Sequence, residues 1–168
     1  MSRNLSVSLA LLLALPAAAC LDMSVYTGTF WEFVNSQGLP SRGFDSLAHA
    51  WGAGPTQVLT ESVLGATAVD ARYTVWQVKP HPGSLAWAEG QVPVGTGSLA
   101  IRWARDSVPQ FHLQVVSPAG TSGEVWVPLP SASGKSTALS PGATLLRRSG
   151  NHDVYGVAAG TFEFSSTP

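Results

Sequence analysis

From about Thr67 onward the chain is patterned in period two, and that alternation most limits its fold. Ser98 to Arg105 sets Leu99, Ile101 and Trp103 on one face and Ala100, Arg102 and Ala104 on the other. Phe111, Leu113 and Val115 alternate with His112 and Gln114. Tyr73–Lys79, Gly123–Val127, Ala143–Arg147, Asp153–Val157 and Thr161–Phe164 read as further strands. Turn signals separate them at Pro82-Gly83, Gly95-Thr96-Gly97, Pro118-Ala119-Gly120, Pro141-Gly142 and Gly150-Asn151. Short strands at such spacing predict a mainly β protein, an antiparallel β-sandwich of two sheets. The Ser-rich stretch Ser131 to Pro141 is expected to be a mobile loop.

Composition agrees and narrows the function. The 168 residues amount to one ordinary domain, or a small domain plus a remnant, at roughly 100–200 residues per domain. Only 11% are charged, and Lys+Arg (9) nearly balance Asp+Glu (10), so no basic surface for nucleic acid is expected. Six Trp and 45% hydrophobic residues argue for a packed core rather than disorder. The single cysteine, Cys20, excludes an intrachain disulfide and a cysteine zinc cluster. The acidic residues are scattered, so no calcium site, other metal or cofactor is expected.

The N-terminal third is written differently. A short positive start (Met1 to Asn4), an uncharged run Leu5 to Leu15, and the small residues Pro16 to Ala19 have the three-part form of a secretory leader. The run is too short for a comfortable membrane span. Residues 1–19 are therefore either a signal peptide, making the protein secreted, or a misread helix. Thr29 is placed to N-cap a short helix over Phe30–Val34. A second helix is expected from Gly54-Pro55-Thr56 to Leu64, with Gly65 as its stop. Its Val58, Leu59 and Val63 lie near one face and need a partner.

Two groups of side chains suit sugar chemistry. Glu32 follows Phe30 and Trp31, and burial among them would suit it to proton transfer. His49 lies seventeen residues on. Carboxylate, indole ring and imidazole supply a base, a stacking surface and hydroxyl contacts. Trp87 and Glu89 form a second candidate carbohydrate-binding pair; an inter-domain packing role for Trp87 is the plainer alternative. His81, His112 and His152-Asp153 read as turn or surface residues.

Several blocks in order carry a family resemblance. Ser46-Leu47-Ala48-His49-Ala50-Trp51-Gly52-Ala53-Gly54-Pro55-Thr56, followed by Val63-Leu64-Gly65, resembles the end of the catalytic barrel of bacterial and fungal α-L-rhamnosidases, glycoside hydrolase family 78. Val78 to Gly90 resembles the start of that family's C-terminal β-domain, and Pro118 to Pro128 a later strand pair. The likeness runs from about Thr27 to Phe164. It implies the end of an (α/α) six-hairpin barrel over residues 20–66 and a C-terminal β-sandwich over 67–168. It also implies hydrolysis of terminal α-L-rhamnose with inversion. Thr29-Phe30-Trp31-Glu32 matches the stretch that carries the family's general base, so the resemblance gives Glu32 that role. It makes His49 a substrate contact and sets Trp31 beside the rhamnose pocket.

Inversion requires a second carboxyl group about 6.5–9.5 Å from the base. In the family it lies far upstream, whereas here the acidic residue before Glu32 is Asp22. The chain alone is therefore expected to lack activity and to need the missing barrel in trans. The alternative is a secreted, non-catalytic carbohydrate-binding or structural β-sandwich module. Either way the expected partner is carbohydrate, with no nucleic acid and no membrane span.

Overall fold

The computed structural model describes residues 29–33, 35–37, 39, 46–95, 97–106 and 110–168. The expected leader and Cys20 lie outside them. The chain forms two compact units, with Val58 ending one and Leu59 beginning the other.

The unit Leu59–Pro168 is the β domain. It opens with a π-helical stretch, Leu59–Leu64. Ten strands follow: β1 Ala66–Ala68, β2 Val75–Val78, β3 Trp87–Val94, β4 Gly97–Arg105, β5 Phe111–Ser117, β6 Ser122–Pro128, β7 Lys135–Ala138, β8 Thr144–Ser149, β9 His152–Val157 and β10 Gly160–Thr167. One sheet runs β1-β2-β6-β9-β8 and the other β3-β4-β5-β10-β7. The alternation seen in the sequence faces their common core. Leu99, Ile101 and Trp103 of β4, Leu113 and Val115 of β5, and Val125 and Val127 of β6 are all nearly water-free. Trp103 stacks on Phe111 at 5.8 Å, and Tyr155 meets Phe164 across the sheets at 5.0 Å. Polar atoms inside are paired: the Trp76 indole N–H donates to Thr121 Oγ1 at 3.1 Å, and Ser117 Oγ lies 2.8 Å from the same oxygen.

Three expectations about the strands need correction. The sandwich is not wholly antiparallel, because β2 pairs with β6 in parallel. Ser131–Pro141 is not simply a loop. Lys135–Ala138 is strand β7, hydrogen-bonded to β10. Its polar sequence shows no apolar alternation because it is an edge strand, tied instead by Ser136 to the buried Asp153. Tyr73 and Thr74 precede β2 rather than belong to it. Tyr73 has φ 55°, and the Asp70 carboxylate accepts from the Thr74 backbone at 2.8 Å, closing a turn.

The predicted stop at Gly65 is present. Its φ is +93°, and an added Cβ would lie 2.4 Å from Pro80 N. Glycine ends the helix here because the Lys79–Pro80 backbone passes directly against it. Leu64 joins the core and Val63 packs on it, whereas Val58, expected on the same face, stays exposed. The Trp103 indole N–H fixes the junction by donating to Val63 O at 3.0 Å.

Candidate functional site

The first candidate group lies wholly in the unit that ends at Val58. Its described part is a loop clasp followed by a 3-10 turn, Ala50–Ala53, and a short helix α1, Gly54–Val58. Residues 29–33 are not the helix expected of them. Their backbone is engaged laterally: Glu32 N–H donates to Ser46 O at 2.9 Å, and His49 N–H donates to Phe30 O at 2.7 Å. The Thr29 hydroxyl donates to Leu47 O rather than capping a helix. Cross-chain hydrogen bonds thus replace the local i→i−4 bonds that a helix would have used.

This clasp brings Glu32 and His49 together. Glu32 Oε2 accepts from Ser46 N–H at 2.9 Å and lies 3.8 Å from His49 Nδ1. The second distance is an electrostatic contact rather than a hydrogen bond. Burial around Glu32 does not follow the expectation. Its side chain keeps 31% of its surface open, because Phe30 and Phe33 are themselves exposed. Trp31 is half-buried beside it. A carboxylate held by a backbone amide, with one oxygen toward an imidazole and open to solvent, can accept a proton from a water. Among the described residues of this unit Glu32 is the sole carboxylate.

The second candidate pair lies in the β domain. Trp87 and Glu89 are two residues apart on β3 and share its outer face, while Ala88 and Val94 face the core. Trp87 is 53% exposed, so it does not serve as a packing residue within its unit. Glu89 Oε2 lies 3.8 Å from Arg102 Nε on β4. Register adds neighbours that sequence reasoning had not joined to them. Glu89 pairs with Arg102, Arg102 with Gln114, and Gln114 with Glu163. The parity of each strand was legible, but not the order β3-β4-β5-β10 that aligns them.

A third cluster escaped the sequence reading. On the outer face of the other sheet, Arg147 makes a two-pronged contact with Glu124 at 2.7 and 2.8 Å, and Lys79 Nζ sits 4.3 Å over the Trp126 ring. The Arg147 guanidinium holds the Glu124 carboxyl below its usual range. His152 meets the same indole edge-on, and its burial, with Lys79 and His81 nearby, holds its pKa low. Asp153, noted beside it as a turn residue, is instead buried. It accepts from Arg148 at 2.8 and 3.0 Å and from Ser136 Oγ at 2.7 Å. Among the described residues no three His, Cys, Asp or Glu gather as a metal site, and no helix is long and apolar enough to cross a membrane.

Two facing five-stranded sheets with a helical lead-in define a β-sandwich domain. Residues 65–138 match the model of the bacterial α-L-rhamnosidase C-terminal domain, so that stretch of the β-sandwich is similar to the domain. Among solved structures it resembles the Streptomyces avermitilis α-L-rhamnosidase complexed with L-rhamnose, at 23% identity and TM-score 0.69, over 82% of this chain and 13% of that one. It resembles the Dictyoglumus thermophilum α-L-rhamnosidase at 21% identity and TM-score 0.69, over 83% of this chain and 16% of that one. For the Aspergillus terreus enzyme the values are 19% and 0.61, over 82% and 14%. At these identities the likeness is one of fold, and the chain spans a small fraction of each relative's length. No curated protein matches it in sequence.

Proposed function

We propose that the chain is the C-terminal portion of an α-L-rhamnosidase-like glycoside hydrolase, holding the base-bearing loop and the β-sandwich. The contact between Glu32 and His49 carries this reading, because it sets a proton acceptor and a hydroxyl-binding ring in one clasp. Glu32 would take a proton from the attacking water, His49 would hold a sugar hydroxyl, and Trp31 would border the ring. The leaving oxygen needs an acid from a barrel supplied in cis or in trans. The chain alone is therefore inactive. Incubation with an aryl α-L-rhamnoside should release no phenol above buffer; turnover abolished by Glu32→Gln would refute this. We also propose secretion, to be checked by the mature mass: loss of about 19–20 residues marks a cleaved leader of the length usual for secretory signals. A non-catalytic role in holding carbohydrate has its own support, the exposed indole of Trp87 beside Glu89.

A further inference from the structure

We infer that the outer face of the β3-β4-β5-β10 sheet is a binding platform for a neutral oligosaccharide chain, with Trp87 as its stacking surface and Arg102, Gln114 and His112 as its hydroxyl-binding groups. This rests on the carbohydrate-holding role above and is independent of hydrolysis.

Register builds the platform. One row crosses the sheet as Glu89, Arg102, Gln114 and Glu163. At the usual strand spacing it is about 14 Å long, enough for a short oligosaccharide. The next row sets Trp87 opposite Ala104, and Ala104 opposite His112. Alanine between two rings leaves the indole without a tall neighbour on that side. Arg102, Ala104, His112, Gln114, Leu139 and Glu163 line a shallow depression of about 290 Å³ there.

Charge decides what fits. Arg102 lies 3.8 Å from Glu89, His112 lies 3.2 Å from Asp106, and Gln114 Nε2 donates to Glu163 Oε1 at 2.9 Å. The Arg102 cation is matched by Glu89, the His112 ring faces the Asp106 carboxylate, and Glu163 adds another negative charge. A polyanion such as nucleic acid or a polyuronate would meet these carboxylates at close range. A protein partner would be expected to find an apolar centre, but the middle of this face is polar. A neutral sugar suits both conditions. Its hydroxyls exchange hydrogen bonds with side chains already held by one another, and its apolar ring face covers an indole.

Affinity electrophoresis of the whole chain tests this, with soluble β-1,4-galactan, arabinoxylan or xyloglucan in the gel and polygalacturonate as the charged control. At least one neutral polymer should retard the protein and polygalacturonate should not. Trp87→Ala and Gln114→Ala should each weaken the interaction about tenfold, as loss of a central contact does. Leu145→Ala, on β8 of the other sheet, should leave it unchanged. Equal urea midpoints for wild type and variants confirm folding. Binding that survives both platform substitutions, or that prefers polygalacturonate, overturns the platform while carbohydrate binding stands. No retardation by any polymer overturns both.

Discussion

Replacing Gly65 by alanine should damage this protein more than replacing almost any other glycine, and the structure separates the reasons. Two costs meet at Gly65. Its φ of +93° is unfavourable for an L side chain, and an added Cβ would lie within 2.4–2.7 Å of Lys79 and Pro80 backbone atoms. Gly83 isolates the first cost, with φ +54° and nothing within 4 Å of an added Cβ. Gly123 isolates the second. Its φ is outside the left-handed region, but a Cβ would sit 2.3 Å from Trp76 O and 2.4 Å from the Trp76 ring. The conformational cost alone is about 1 kcal/mol. Overpacking costs about 1–3 kcal/mol, and Gly123 should reach the upper end because Trp76 is fully buried and tethered to Thr121. At Gly65 the two add to about 2–4 kcal/mol, a large share of the 5–15 kcal/mol that holds a typical domain folded. Urea unfolding followed by tryptophan fluorescence measures all three, read as midpoint shifts at constant slope. If Gly65→Ala shifts the midpoint no more than Gly83→Ala, the Lys79–Pro80 backbone does not press on the helix stop and the reasoning fails.

Asp153 predicts a pH dependence. Arg148 and then Ser136 hold its carboxyl below the usual range, so the unfolded chain takes up a proton first as pH falls. Its stabilisation should be complete at neutral pH and drain away below about pH 4, where an unfolded aspartate titrates. Asp153→Asn should flatten that acid limb and lower neutral stability by about 2–3 kcal/mol, the worth of charge-assisted bonds to a buried carboxylate; an unchanged acid limb would count against it. Thr121→Val strands the Trp76 indole N–H and should cost about 1–3 kcal/mol by thermal melting. Adding Trp76→Phe removes the stranded donor, so a double-mutant cycle should show coupling between the two sites.

The fold was legible wherever side chains alternated strictly between core and water. Leu99-Ile101-Trp103 and Phe111-Leu113-Val115 announced β4 and β5 because each buries one whole face. Lys135–Ala138 did not, since an edge strand with polar residues is held by backbone pairing and by Asp153, neither of which leaves a periodic signature. The loop at Thr29–Phe33 looked helical by local capping chemistry, but it is set by Ser46 and His49, partners remote in sequence. Glu32 and His49 were picked out through family resemblance, and composition alone would have left them as a surface acid and a stray histidine. Glu163 shows the opposite limit. It stands between Phe162 and Phe164, and only strand order places it on one row with Glu89.

The parallel contact between β2 and β6 bears on how the molecule folds. Val75 faces Ser122, 47 positions along the chain (75 to 122), and β3, β4 and β5 lie between. Joining them costs about 3 kcal/mol of chain entropy before any contact repays it. The second sheet must therefore gather first, shortening the effective tether so that β6 can reach β2. The hairpin of β1 and β2 joins its sheet through β6 alone. Until the β3–β5 meander closes, that hairpin is an open template for another chain's strand, so slow closure of the meander would show itself as concentration-dependent losses during refolding.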